Sequence, residues 1–354
     1  MEYLVTIGIP VYNSAPFIRR SLESALAQTF GQVQFLICDD GCTDGSIEIV
    51  EEYRRTHLRG KDIRIVHQPR NMGLGNARNR IIAETRTRYL YHMDADDAIA
   101  PNAIELLYRA AVRHDAEIVY GSHERIDEIE GGKQSRKAIY PSLVFEKPDE
   151  FAQWAYRKYD GIQAMTWNFL IDVDVYRKNG LCHQPVNFWE DFSLTIDLPA
   201  YITRAVLLSD ITYYYYCREG SLSHFERHEY IAKEEIVRTV NAISHLKERT
   251  PLIRGRVFFP QRMYKVMVTD FYIVDTILKN RRIIAPPFTN REIRDIMHSP
   301  LSFAEVLRLK AWRLRNLFLY MLGVVPAFLV PLLVSWAVKI SKLRHGCFGH
   351  HTSL

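Results

Sequence analysis

Three aspartates occupy four positions, Asp94, Asp96 and Asp97, in the stretch YLYHMDADDAIAPNA (89–103). Like charges this close repel unless a cation or a set of hydrogen-bond donors offsets them. The spacing of Asp94, Ala95 and Asp96 suits a hard divalent ion. Mg2+ or Mn2+ takes one or two carboxylates and completes its shell with water or the oxygens of a diphosphate. The competing reading makes Asp94 or Asp97 a cap for the helix that follows, with Asp97 closer to that role. A second acidic pair, Glu190 and Asp191, lies in FWEDFSL (188–194). A carboxylate there can take the proton of an acceptor hydroxyl, and Trp189 can stack on a sugar face. Helix capping and core packing are the alternatives.

Three further stretches carry polar groups. CDDGCTDGS (38–46) ends in a turn where Asp39 and Asp40 can accept from a base N–H or ribose hydroxyls, or simply close the turn. NMGLGNARN (71–79) supplies Asn71, Gly73 and, as a cation for phosphates or as a solvated helix residue, Arg78. CREGSLSH (217–224) holds Arg218, Ser221 and His224, which can serve phosphate or metal binding or form a polar loop.

The elements between these stretches bring them together. Strand-like runs at 3–9, 33–38, 63–68, 89–93 and 116–122 alternate with helical patterns. The helices start near Ser14, which can cap with Pro16 in the first turn, and run through 46–55, 76–85 and 101–114. Runs apolar on both faces and joined by helices predict an α/β fold with a mostly parallel sheet covered on both sides. In such a sheet the ligand lies beyond the carboxyl ends of the strands, so PVYNS (10–14) and the loops at 39–46, 68–79 and 94–97 converge on one crevice. Farther on, a polar hairpin turns at Gly131–Gly132, a helix follows Pro148, a strand and helix follow Thr166, and a helix begins at Glu190–Asp191. Tyr213–Tyr216 reads as a strand rather than a carbohydrate platform, and the chain is helical from about Glu226.

A dinucleotide-binding domain needs its glycine fingerprint in the first strand-to-helix turn, and PVYNSAP has none; the later GLGNAR has Arg78 at the third glycine position. A nucleotidyltransferase would carry a basic, glycine-rich loop there instead.

Taken in order, IPVYN, DDGCTDGS, NMGLGNARN, DADD and WED resemble the motifs of family 2 glycosyltransferases of bacterial type, with the GT-A fold, over residues 3–224. Cys42 stands where the family usually has serine. The resemblance implies a nucleotide-sugar donor, with a uridine nucleotide favoured by family habit, and Mn2+ or Mg2+ as cofactor. It puts Pro10, Val11 and Tyr12 in the base pocket, with Asn13, Asn71, Gly73 and Arg78 also on the donor, and Asp40, less firmly Asp39, on the base or ribose. Asp94 would lie near ribose and metal, with Ala95 beside it. Asp96 would ligate the metal, with His224 as a further ligand. Asp191 would be the base, supported by Glu190, in a single inverting displacement, and Trp189 would meet the acceptor. The alternative is a non-catalytic nucleotide-sugar or glycan-binding module of the same fold, expected to have lost the paired aspartates or the base.

The 354 residues are 47% hydrophobic and 25% charged, which excludes a disordered chain. Five scattered cysteines without a CxxC argue against a zinc ribbon or disulfide framework and for reduced thiols. The opening MEYLVTIGIP lacks the basic start of a cleaved signal. Near the other end, NLFLYMLGVVPAFLVPLLVSWAV (316–338) is long enough to span a bilayer, but Pro326 and Pro331 interrupt it and both flanks are basic. That pattern predicts a kinked or surface-embedded hairpin whose ends meet anionic headgroups, rather than a spanning helix or a buried core helix. The expected organisation is a catalytic domain at 1–225, a helical region at 226–310, a membrane-associated segment at 311–345 and a tail. The corresponding partners are a nucleotide sugar, a saccharide or polyprenyl-linked acceptor and the cytoplasmic face of the membrane, with no nucleic acid.

Overall fold

The structure, a computed structural model, describes residues 2–129, 132–157, 162, 165–186, 190–217 and 230–345. The chain forms two compact units, residues 1–226 and 227–354. In the first, the order is β1 (Val5–Val11), α1 (Ile18–Leu26), β2 (Val33–Asp39), α2 (Ser46–Thr56), β3 (Ile63–His67), α3 (Leu74–Glu84) and β4 (Tyr89–His92). There follow β5 (Ala98–Ile99), α4 (Ala103–Arg113), β6 (Ile118–Ile129), β7 (Gly132–Ala138), β8 (Leu143–Phe145) and α5 (Glu150–Arg157). β9 (Phe169–Asp172), α6 (Asp174–Asn179), α7 (Glu190–Asp197) and β10 (Ala205–Cys217) complete it.

The sheet runs β3-β2-β1-β4-β9-β6-β10-β5, with β7 on β6 and β8 on β10. From β3 to β4 every pairing is parallel. All seven residues of β1 are buried, as a strand covered on both faces requires. The helices cover it with one apolar face each: α1 buries Ile18, Ser21, Leu22, Ala25 and Leu26 at helical spacing. Gly8 lets α3 lie close on β1, because a Cβ there would come within 2.3 Å of the Ile81 side chain.

Beyond β4 the sheet is mixed rather than mostly parallel. β9 enters between β4 and β6 and runs antiparallel to both. β6 is far longer than the apolar run that marks it, because its polar half pairs with β7 in the expected hairpin. The expected cap at Ser14 is not formed. α1 starts at Ile18 after a turn, and the Ser14 hydroxyl donates to the Tyr12 carbonyl while its own carbonyl accepts from Phe17 and Ile18.

The second unit is helical: α8 (Lys233–Glu248), α9 (Phe259–Lys279), α10 (Asn290–Ile296), α11 (Phe303–Arg308), α12 (Arg313–Val324) and α13 (Val330–His345), with β11 (Ile231–Ala232) and β12 (Ile284–Ala285) paired in parallel. The apolar stretch does break where the prolines predict: α12 ends at Val324, Pro326 and a short 3-10 turn follow, and Pro331 lies in the first turn of α13. Among the described residues no helix is long and apolar enough to cross a membrane.

Candidate active site

The register of the parallel strands aligns the loops. Val11 lies opposite Asp39, and Asp39 opposite His67, so the carboxyl ends of β1, β2 and β3 share one level. β4 ends one residue short of Met93, whose N–H bonds the Gly8 carbonyl at 3.0 Å, and Asp94 follows directly. The four expected loops therefore do converge.

Hydrogen bonds stitch them together. Asn13, at φ 48°, accepts from the Thr43 N–H at 2.9 Å, and the Ala15 N–H donates to Asp44 at 2.9 Å. Gly41 adopts φ 79° in contact with the next loop, where a Cβ would come within 2.7 Å of the Asn71 nitrogen. Gly73, at φ 89°, precedes α3, and its N–H reaches both Asn71 (2.9 Å) and Asp40 (2.9 Å). Pro10 and Val11 are buried in β1, while Tyr12, half exposed, and Asn13 open on the crevice rim.

The two acidic residues after β2 divide their work. Asp40 is 3% exposed and accepts from Gln68 Nε2 (2.7 Å), the Met72 N–H (2.7 Å) and the Gly73 N–H (2.9 Å). Burial pushes its carboxyl up, and these donors oppose the rise. In this structure it braces the loop before α3. Asp39 accepts from the Gly41 and Cys42 N–H groups at 3.0 and 2.9 Å and meets His67 Nδ1 at 2.8 Å. Its carboxyl lies below the usual range: donors from Cys42 and His67 outweigh the opposing burial.

The aspartate cluster also divides. Ser21 on α1 donates to the Asp94 carbonyl at 3.0 Å, and Arg20 holds the Asp96 carbonyl, so the turn is clamped by the first helix. Asp94 and Asp96 are partly exposed, with the Ala95 side chain buried between them. Asp97 is fully buried, accepting from the Tyr213 hydroxyl at 2.7 Å and the Tyr216 N–H at 2.8 Å. Burial first, then the charges of Asp96 and Asp94, push its carboxyl well above the carboxylate range. The cap reading of Asp94 and Asp97 fails, since α4 begins only at Ala103 and Asp97 instead ties the cluster to β10.

Arg78 is the residue around which the site closes. It lies on the face of α3 that also buries Ile81 and Ile82, which is why it is 1% exposed and not a solvated helix arginine. One arm of its guanidinium reaches Asp94 Oδ1 at 2.8 Å, and the other pairs with Asp191 Oδ1 at the start of α7. Asp191 Oδ1 also accepts from the Thr166 hydroxyl at 2.7 Å, and Oδ2 takes the Thr166 N–H at 3.3 Å. His183 Nδ1 stands 3.6 Å from Oδ1, on a loop held to α3 by reciprocal bonds with Asn79. Thr166 and His183 carry no signal in the sequence; only their meeting with Asp191 marks them. Burial pushes the Asp94 carboxyl up, against the pull of Arg78.

Trp189, Arg218, Ser221, His224 and the side chain of Glu190 lie outside the described residues. Tyr213–Tyr216 falls within β10, with Tyr213 buried and stacked on Trp167 at 4.4 Å.

An α/β unit with this crevice defines the fold of the GT-A glycosyltransferases, and S. aureus TarS (1–349) superposes with a TM-score of 0.69 at 14% identity, over 97% of this chain and 92% of that one. The model of glycosyl transferase family 2 matches residues 6–180. Among curated relatives, glycosyltransferase GlyG of Streptococcus pneumoniae is 30% identical over 131 residues, 37% of this chain and 42% of GlyG. Chondroitin synthase of Escherichia coli is 31% identical over 211 residues, 54% of this chain and 30% of that protein. The glycosyltransferase EpsJ of Bacillus subtilis is 25% identical over 321 residues, 86% of this chain and 89% of EpsJ. The chain thus spans less than half the length of the first two. The chain retains both Asp94-Ala95-Asp96 and Asp191, one or other of which a non-catalytic module of this fold is expected to have lost.

Proposed function

We propose that the protein is an inverting, metal-assisted glycosyltransferase that moves a sugar from a nucleoside-diphosphate sugar to a hydroxyl of a saccharide or lipid-linked saccharide. The observation that supports this most is the guanidinium of Arg78 shared between Asp94 and Asp191, which brings a donor-side carboxylate and the candidate base into one crevice. TarS has been solved in complex with UDP-GlcNAc, which makes a UDP-sugar the first donor to try.

Asp191 would accept the proton of the acceptor hydroxyl. Arg78 and Thr166 hold its Oδ1, while Oδ2 has the weaker contact, so Oδ2 is the oxygen we assign to the incoming proton. Pro10, Val11, Tyr12 and Asn13, with Asp39, would meet the base and ribose; the burial of Asp40 moves that contact towards Asp39. Asn71 and Gly73 would shape the loop facing the donor, Ala95 would pack beneath it, Glu190 would support the base and Trp189 the acceptor.

The residues fit a divalent ion. Asp94 and Asp96 are hard, partly exposed carboxylates two positions apart, and among the described residues no third His, Cys, Asp or Glu joins them, so an ion there would draw on phosphate or water oxygens. Mn2+ or Mg2+ held by Asp94 and Asp96, with His224 as a further candidate, would offset the charge that grows on the leaving diphosphate. We place the reaction at the cytoplasmic face of a membrane, reached through the basic-flanked helices of residues 311–345.

A panel of nucleotide sugars with Mn2+, read by thermal stabilisation and donor hydrolysis, tests the donor. Asp191→Asn should cut transfer about 100- to 10,000-fold and leave the stabilisation by UDP in place. Full transfer by that variant would refute the base. Deleting residues 311–354 should release the protein from membranes on fractionation, and unchanged association would refute the membrane reading.

A further inference from the structure

The segment that joins α11 to α12 encloses an open pocket of about 600 Å³ lined by Arg308, Lys310, Trp312, Arg313, Leu314 and Arg315. No carboxylate lines it, and among the described residues none of its four cations forms an ion pair. Glu305, the nearest carboxylate in sequence, is held low first by the Ser302 N–H and hydroxyl, then by Arg254, with which it pairs at 3.0 Å, and least by Arg308. The Arg315 guanidinium lies over the Trp312 ring at 4.3 Å, and Trp312 holds a left-handed φ of 57°. Arg313 and Arg315 stand in the first turn of α12, which has no acidic residue there and no side-chain cap. Cations at that end oppose the helix dipole, so the arrangement is costly until an anion approaches.

The charge asymmetry extends beyond the pocket. From Val306 to Leu354 there is no Asp or Glu, while Arg308, Lys310, Arg313, Arg315, Lys339, Lys342 and Arg344 are all basic. The same helices expose large apolar side chains in rows: Leu314 (76%), Met321 and Val324 on α12, then Phe328, Leu332 (66%) and Trp336 along the following turn and α13. Beneath them Leu319, Leu322, Val330 and Val334 are buried, so the exposed rows are a second apolar face and not a failure of packing.

We propose that this pocket binds the phosphate headgroup of an anionic phospholipid, with the exposed rows of α12 and α13 entering the acyl boundary. An apolar face flanked by unpaired cations matches the interface of an anionic leaflet, where the phosphates lie just outside the hydrocarbon. The inference rests on the membrane reading given above and adds the pocket that takes the phosphate and the residues that line it.

The test is vesicle co-sedimentation of the full chain with phosphatidylglycerol-rich and with pure phosphatidylcholine vesicles. Wild-type protein should prefer the anionic vesicles about tenfold, and the preference should fall with added salt. Arg313→Gln with Arg315→Gln should lose about fivefold per cation removed, whereas Arg313→Lys with Arg315→Lys should retain binding, which separates lost charge from lost fold. Equal binding to both vesicles, unchanged in the glutamine variant, would overturn the headgroup pocket and leave the membrane reading standing. Binding to neither would overturn both. Complete competition by inorganic phosphate at constant ionic strength would make this a soluble-phosphate site and overturn the lipid. Donor hydrolysis by the wild type without vesicles reports on glycosyl transfer independently.

Discussion

Arg78 and Asp191, 113 positions apart in the chain, form an ion pair in which the guanidinium is 1% exposed. The same guanidinium holds Asp94, so a single buried cation neutralises carboxylates from two different parts of the site. A ligand for phosphates needs an arm free to reach them, whereas this one spends one arm on each aspartate. If Asp191 is the base proposed above, Arg78 would position it and would not be a donor ligand.

That distinction predicts a split phenotype. Arg78→Lys keeps the charge but cannot bridge both carboxylates with a planar fork. It should slow transfer about 100-fold while UDP-induced stabilisation changes by less than about twofold in dissociation constant. Arg78→Ala should in addition cost about 3 kcal/mol of folding stability, because two partly buried carboxylates lose their counter-charge. Denaturation and nucleotide thermal shifts on both variants decide the matter. Collapse of UDP binding in the lysine variant would return Arg78 to the phosphates.

The parallel half of the sheet and the convergence of the loops were legible because they depend on local pattern. Strands buried on both faces read as continuous apolar runs, and the ligand end of such a sheet follows from the direction of the chain. What depended on partners distant in sequence was not legible. Arg78 looks like any helix arginine until α7 places Asp191 beside it. Asp40 reads as a ligand until the N–H groups of Met72 and Gly73 occupy it. β9 gives no sign in its own residues that it will insert antiparallel, and Thr166 acquires its role only from where β9 begins.

Asp40 supplies a second prediction. Asp40→Ala leaves the Gln68 side chain and the Met72 N–H without this acceptor, and the Gly73 N–H with Asn71 alone, in a site 3% exposed. The expected loss is about 2–3 kcal/mol in urea denaturation. Asp39→Ala should instead weaken UDP binding more than it lowers stability, since its carboxylate stands at the exposed His67. Equal effects of the two substitutions on UDP binding would contradict this division.

For the metal, an ion held by few protein ligands should bind weakly by itself and strongly with a diphosphate. Mn2+ alone and UDP alone should each raise Tm little, and together far more than their sum. Asp96→Asn should remove the synergy, and a chelator should reverse it in the wild type. Synergy that survives in Asp96→Asn would exclude Asp96 as a ligand.

The last prediction concerns the second unit, where Asp270 on α9 meets Lys247 on α8 at 2.7 Å with the carboxylate fully buried. Burial pushes the Asp270 carboxyl up to about 6, against the pull of Lys247. The Lys247 ammonium also donates to the carbonyls of Ile296 (2.9 Å) and His298 (2.8 Å), so it stays satisfied when Asp270 takes a proton. The folded value lies above the ordinary 3.8, so the folded chain binds the proton first as pH falls. This contribution to stability is complete below about pH 4 and is lost as pH rises through about 6. Between about pH 7.5 and 5 the wild type should therefore gain Tm relative to Asp270→Asn, which has no carboxyl to titrate there. Parallel Tm curves for the two proteins across that window would show that Asp270 stays ionised in the folded unit, held by Lys247 more strongly than burial opposes it.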